Sequence, residues 1–155
     1  MIDLVSAATR SRMMSSIKGK NTKPELAVRR FLHASGFRFR LHRKDLPGKP
    51  DVVLPKYQLA IFVHGCFWHR HAGCFYSTVP ASREDFWRAK LDRNVLRDVS
   101  HVSELLSGGW RVLVVWECGL KHSCSKMGEL LDFITAGGEF FEWPTSPPRL
   151  KLDSS

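Results

Sequence analysis

The sequence predicts one α/β domain with a mixed sheet, in the order helix, three-strand meander, helix, parallel strand, helix. Three observations predict it. Two short stretches, 59–63 and 112–116, are densely apolar; residues 37–42 alternate strictly between apolar and basic; and a long charged stretch with helical spacing separates the two apolar runs. Strand, helix, strand in one sheet makes a right-handed crossover, so the two apolar strands are expected to be parallel and adjacent. At 155 residues the chain has the size of a single domain and can bury a real core.

Each element has its own justification. Residues 1–20 are polar and basic, with a thin apolar stripe of Ile2, Val5, Met13, Met14 and Ile17. They read either as an arm that orders on a partner or as a surface helix. Thr22, Pro24 and Glu25 open the first helix: Thr22 caps, Pro24 fits the first turn, and Glu25 completes a capping box. This helix is expected to bury Leu26, Ala27, Phe31 and Ala34, and to stop at Gly36. Residues 37–42 form a half-buried strand with a basic outer face, and 43–49 a loop. Strands at 51–54 and 58–63 flank a hairpin turn at Pro55-Lys56-Tyr57. The second of them is apolar on both faces and therefore central. Residues 64–80 are irregular and rich in Cys, His and aromatics. A long helix over 83–106 is expected to be capped by Ser82, to bury Phe86, Leu91, Val95, Val99, Val102 and Leu106, and to end at Gly108-Gly109. A buried strand at 110–116 and a helix at 125–136 follow, and Pro144, Pro147 and Pro148 mark a tail. The expected organisation is an arm over 1–20, one domain over 21–143 and a Pro-rich tail over 144–155, as a monomer.

Lys plus Arg number 24 against 15 Asp plus Glu, a net charge of +9. A small basic domain expects a polyanion, nucleic acid before an acidic membrane. The apolar runs are too short to span a bilayer, and no apolar signal core opens the chain, which points to the cytoplasm. The four cysteines then read as reduced thiols or metal ligands.

The chemistry collects at one edge of the sheet. With the turn at 55–57, Asp51 pairs across to Phe62 or Val63, beside the start of the 64–74 segment. The parallel strands bring Cys118 out near Cys66. Cys66, His71, Cys74 and Cys118 thus form a four-ligand set suited to structural zinc, with His69 as an alternative to His71 and Cys124 left as an ordinary half-buried thiol. A zinc deaminase is disfavoured, because its His-x-Glu and Pro-Cys-x-x-Cys pairing is absent. Asp51 with a backbone carbonyl of the neighbouring strand makes a hard-oxygen site for Mg²⁺, and His64 and His69 can position water or move protons in phosphodiester cleavage. Glu25 can reach such a metal through water. Phe67-Trp68 and Phe86-Trp87, beside basic charge, are equipment for stacking on or wedging between bases, with core packing the alternative for Phe86.

His64-Gly65-Cys66-Phe67-Trp68-His69-Arg70-His71 with Cys74 resembles the signature of the very-short-patch-repair (Vsr) DNA mismatch endonucleases. Ala8-Thr9-Arg10-Ser11 with Met14, Pro47-Gly48-Lys49-Pro50-Asp51, Phe86-Trp87, and Gly109-Trp110-Arg111-Val112 through Trp116-Glu117-Cys118 match in the same order. The resemblance covers about residues 6–120. It implies a restriction-endonuclease-like fold and nicking 5′ of the T in a T·G mismatch left by 5-methylcytosine deamination, the start of very short patch repair. It implies Asp51 and the Val63 carbonyl as Mg²⁺ ligands, His64 and His69 as catalytic histidines, and Cys66, His71, Cys74 and Cys118 as zinc ligands. Phe67, Trp68 and Trp87 resemble the aromatic wedge, and Met14 the residue inserted from the minor-groove side. The implied partners are double-stranded DNA with a T·G mismatch, mismatch-repair proteins such as MutL, and functional pairing with a cytosine-5 DNA methyltransferase, in a bacterial cytoplasm at the nucleoid. The usual second acidic residue with a following Lys is missing after Asp51, and histidine takes its place. A zinc-stapled DNA-binding module, and a nuclease indifferent to mismatches, are the other classes the residues allow.

Overall fold

The computed structural model describes residues 21–151. The 1–20 arm, with Met14, and residues 152–155 lie outside the described residues. Helix α1, Lys23–Ala34, begins at Thr22, whose hydroxyl accepts the Glu25 N–H at 3.4 Å. Five strands follow in spatial and chain order: β1 Arg40–Leu41, β2 Val52–Leu54, β3 Leu59–His64, β4 Arg111–Trp116 and β5 Phe140–Trp143. The first three pair antiparallel; β3 with β4 and β4 with β5 pair parallel. Helix α2, Glu84–Ser107, makes the expected crossover from β3 to β4. Two further helices, α3 Glu117–His122 and α4 Gly128–Ala136, lead to β5.

Period-two alternation along β3 and β4 divides the core into two faces. Leu59, Ile61, Leu113 and Val115 meet Val28 and Leu32 of α1, Leu120 of α3, and Leu130 and Ile134 of α4. Ala60, Phe62, Val112, Val114 and Trp116 meet Leu105 of α2 and the thiols Cys66, Cys74 and Cys118. A sheet covered on both sides explains why β3 and β4 are apolar throughout. Among the described residues no helix is long and apolar enough to cross a membrane.

The structure corrects several expectations. The strand expected over 37–42 pairs only at Arg40 and Leu41; Phe37 and Phe39 still pack on the core, but His42 turns off with φ +49°. In α1 the fully buried apolar side chains are Val28 and Leu32, each one residue beyond an expected one; Ala27 and Phe31 pack on the core partly buried, and Ala34 is exposed. Ser82 does not cap α2; Arg83, left-handed at φ +56°, stands there without a side-chain cap. The buried residues of α2 are Leu91 and Leu105, while Phe86 is 43% and Val99 63% exposed. The first half of α2 faces the 67–70 loop and not the sheet: Trp87 meets Phe67, Arg70 pairs with Asp92, and Asn94 donates to the Trp68 carbonyl. The helix expected over 125–136 is split into a 3₁₀ turn, Cys124–Lys126, and α4, and both α3 and β5 add to the expected order. β5 is short and buries fully only Trp143, so it carries almost no strand pattern. Trp143 and Pro144 close on α3 at Gly119, where an added Cβ would lie 2.7 and 2.6 Å from them. The Pro-rich stretch also returns: the Phe75 N–H donates to the Arg149 carbonyl at 2.9 Å and the Lys151 N–H to the Gly73 carbonyl at 2.8 Å.

Candidate active site and metal centres

The hairpin places Asp51 as its register requires. Val52 pairs with Ile61, and one residue further Asp51 Oδ2 accepts the Val63 N–H at 2.8 Å. One carboxylate oxygen is thereby fixed, which leaves the other for a second partner. Burial raises the Asp51 pKa, against the Val63 hydrogen bond and the charges of His42, His69 and Arg29. Glu25 departs from the capping-box reading. Its N–H is capped by Thr22, but its carboxylate turns inward, is only 2% exposed as a residue, and pairs with Arg29 Nη2 and with His42 Nε2 at 3.0 Å. Donor atoms of Glu25, His42 and Asp51 all lie within 4.8 Å of one another. Sequence reasoning missed His42 and Arg29. The i, i+4 spacing of Glu25 and Arg29 was the available signal, whereas His42 reaches Glu25 only once β1 lies beside β2.

His64 ends β3 and is buried; its ring stacks on His69 with centroids 3.8 Å apart and planes 4° apart. Burial, then the neighbouring His69 and His71, hold its pKa well below the ordinary histidine value, so it is neutral at neutral pH. His69 Nδ1 lies 2.6 Å from Asp98 Oδ2 of α2, with side-chain exposures of 30% and 24%. Asp98 is the third residue that sequence reasoning missed, since an acidic residue on a charged helix has no pattern of its own. In the neutral ring, a carboxylate facing Nδ1 selects the tautomer with the proton on Nδ1 and the lone pair on Nε2.

Cys66, His71, Cys74 and Cys118 are all buried, and one donor atom from each falls in a cluster spanning at most 4.8 Å. His71 Nδ1 stands 3.7 Å from Cys66 Sγ and 3.4 Å from Cys118 Sγ. A tetrahedron with Zn–S near 2.3 Å and Zn–N near 2.0 Å has an S–N edge of about 3.6 Å, so the donors fit that metal. Pairing with Cys118 holds Cys66 at about 4, chiefly through the hydrogen bond between the two sulfurs, so the cluster favours a thiolate, the form a metal needs. His71 joins the thiols, stacked on Trp116, while His69 faces the other way. Cys124 is exposed and apart, its Sγ 2.6 Å from the Leu120 carbonyl.

A cleft of about 1290 Å³ connects these groups, lined by Glu25, Asp51, His64 and His69, by Phe67, Trp68 and Phe86, and by Lys49, Lys90, Arg93 and Arg97. The rings of Phe67, Trp68 and Trp87 pack edge-on and tilted at 5.0–6.1 Å. Lys90 Nζ sits over Trp68 and Trp87 at 5.6 and 5.5 Å. None of the three rings belongs to either core face, and Phe86, the candidate core residue of its pair, is exposed under Arg83.

Residues 2–75 match the family described as DNA mismatch endonuclease Vsr. The chain is 52% identical over 120 residues to the type II nicking enzyme V.XorIIP of Xanthomonas oryzae, covering 77% of this chain and 88% of that one. It is 46% identical to the type II nicking enzyme V.NmeAIP of Neisseria meningitidis, over 79% and 86% of the two chains. To the DNA mismatch endonuclease Vsr of Escherichia coli it is 45% identical, over 78% and 77%.

Proposed function

The chain belongs to the Vsr DNA mismatch endonuclease family and is a DNA endonuclease; from that premise we propose that it nicks one strand 5′ of the T in T·G mismatches arising from 5-methylcytosine deamination, starting very short patch repair. The observation that carries the reading is the convergence of Asp51, His64 and the His69–Asp98 pair on one basic cleft walled by three aromatic rings. The scaffold is proposed to be restriction-endonuclease-like, with the strand ends of β2, β3 and β4 meeting at the site.

The division of labour follows from the geometry. The free oxygen of Asp51 and the Val63 carbonyl would hold Mg²⁺, which when bound supplies positive charge to a phosphate. Asp98 fixes the His69 tautomer, so that Nε2 takes the proton of the attacking water, and Asp98 stabilises the imidazolium that forms. The neutral, buried His64 is stacked on His69; it keeps that ring aligned and accepts or donates a hydrogen bond without adding a fixed charge. Zn²⁺ on Cys66, His71, Cys74 and Cys118 would stiffen the loop that carries Phe67, Trp68 and His69. Phe67, Trp68 and Trp87 are assigned to the wedge that parts the base pairs, because unstacking costs least at an imperfect pair. Lys49, Lys90, Arg93 and Arg97 neutralise phosphates along the cleft.

Residues 1–20 are proposed as a DNA-contacting arm with Met14 entering from the minor groove, and 21–143 as the nuclease domain. MutL and a cytosine-5 methyltransferase are the proposed functional partners, in the bacterial cytoplasm at the nucleoid. The test is a nicking assay on matched and T·G-mismatched duplexes with and without Mg²⁺. Cleavage confined to the mismatched duplex, at the 5′ side of T and only with Mg²⁺, is expected. Equal nicking of both duplexes refutes the mismatch assignment.

A further inference from the structure

The basic surface does not stop at the cleft. Glu117 lines the cleft, and one turn further along α3 stand Lys121 and His122, both exposed. Lys121 Nζ lies 3.9 Å from Glu117 Oε1 and 4.7 Å from the centroid of the Tyr76 ring. The Tyr76 hydroxyl is 2.7 Å from His122 Nε2, and the two rings stack. Phe75, edge-on to Tyr76, carries the Arg149 guanidinium 3.5 Å from its centroid. The 149–151 segment arrives there through its backbone bonds to Phe75 and Gly73, and it brings the exposed Lys151 with it.

Three properties set this surface apart from scattered surface charge. Lys121 and Arg149 each lie over an aromatic face, which restricts long side chains that would otherwise roam. The cations also keep their charge for an outside partner. Arg29, Arg43, Arg70 and Arg88 are each paired with a carboxylate, whereas Arg149 and Lys151 have none among the described residues, and Lys121 meets Glu117 only at the solvent-exposed limit of an ion pair. Finally, the surface is tied to the cleft through the same buried cluster. Phe75 and Tyr76 follow Cys74, Lys121 and His122 share α3 with Cys118, and Cys66 opens the loop that carries Phe67, Trp68 and His69.

We propose that this surface is a second DNA contact, in which Lys121, Arg149 and Lys151 bind backbone phosphates of the duplex arm that leaves the cleft past Glu117. Charge complementarity and continuity with the cleft name the occupant: unpaired, positioned cations suit a phosphate backbone, and the duplex already in the cleft brings one to them. Phosphate contacts set register and orientation and carry no sequence information, so the surface adds affinity and alignment and leaves the choice of base pair to the cleft. It also gives the returning 149–151 segment a task, the delivery of two of the three cations. The proposal rests on the reading of the cleft as a DNA site.

The experiment measures binding of the full, zinc-loaded chain to T·G duplexes by fluorescence anisotropy over a series of salt concentrations. One duplex has two long arms, and two others are cut back on one side or the other to within a helical turn of the mismatch. The parent is compared with a variant combining Lys121→Gln, Arg149→Gln and Lys151→Gln. On the long duplex the log–log salt slope should fall by about 0.9 for each lost contact, about 2–3 in all, with affinity down about tenfold or more at about 0.1 M salt. The difference should vanish on one shortened duplex and persist on the other, because only one arm passes the surface. Single-turnover nicking at saturating enzyme should stay at the parent rate. Thermal melts and zinc content check the fold; if the triple variant unfolds, Lys121→Gln with Lys151→Gln leaves Arg149 on Phe75, and its slope should fall by about 1–2. A parent-like slope and affinity in a folded variant overturns the proposal, as does a loss that is the same on all three duplexes. A matched duplex run alongside keeps the two readings apart: a parent that binds and nicks matched and T·G duplexes alike refutes the mismatch assignment, while the slopes still decide the surface.

Discussion

Removing the Asp98 carboxylate should slow the chemical step while barely touching the fold. Asp98 Oδ2 and His69 Nδ1 are 2.6 Å apart, which puts the centres of a carboxylate and an imidazolium roughly 4 Å apart. With both side chains about a quarter to a third exposed, an effective dielectric of roughly 20–40 applies, and the attraction is about 2–4 kcal/mol. That attraction exists only while His69 holds the extra proton, so it lowers the barrier and not the ground state. At about 1.4 kcal/mol per decade, Asp98→Ala should cut the single-turnover nicking rate by about 30- to 1000-fold. The partly exposed pair contributes about 1 kcal/mol or less to folding, so the melting temperature should move by only a few degrees. Asp98→Asn retains an acceptor for the Nδ1 proton and loses the charge, and should fall between the two. Rapid-quench nicking of a T·G duplex at saturating enzyme, with binding measured separately, isolates the step. A parent-like rate in Asp98→Ala refutes the assignment of His69 as the proton acceptor, and a large loss of affinity at unchanged rate moves Asp98 to DNA binding.

Cys118→Ser should destabilise the protein strongly and reduce zinc content below one per chain, whereas Cys124→Ser, at an exposed thiol, should do neither; metal analysis and thermal melts compare them. Phe67→Ala with Trp68→Ala should cost about 1–3 kcal/mol of ring packing and erase most of the preference for mismatched over matched duplex; a variant that stays selective counts against the wedge. Asp51 has a folded pKa above its unfolded one, so its contribution to stability is present at low pH and lost as pH rises through the folded value. Metal-free Asp51→Asn should therefore melt at or above the parent near pH 7, yet fail to nick. His64 has the opposite sense: its depressed pKa makes stability fall as pH drops below about 6.5, and His64→Ala should lessen that dependence in pH-resolved melts.

The central sheet was legible because β3 and β4 are buried on both faces, and a continuous apolar run between turn signals has few other readings. The hairpin register followed from the turn, so the neighbour of Asp51 could be counted out residue by residue. The Cys and His cluster followed from two parallel strands ending at one edge. What stayed hidden depends on tertiary placement. β5 is an edge strand of four residues with two exposed positions, so it has neither the length nor the alternation to stand out. The first half of α2 packs on an irregular loop, where the spacing that marks a sheet-facing stripe no longer applies; Phe86 was misread for that reason. His42 and Asp98 gain meaning only from Glu25 and His69, at separations of 17 and 29 residues. Glu25 shows the converse, a good local motif whose side chain is taken by a longer-range partner.

The bridge between Cys74 and Leu150 bears on when the molecule becomes active during its own synthesis. The loop with His69 is held from two later parts of the chain: Cys118, 47 residues after His71, and the 149–151 segment that pairs with 73–75. Both are contacts of large sequence separation, the kind that closes late because the intervening chain must first be ordered. A nascent chain emerging N-terminus first displays its basic surface and both histidines well before either clasp exists. The nuclease centre therefore gains its last fastening only after residue 151 has left the ribosome, and a truncated product lacking that segment carries the histidines on a loop without its second clasp.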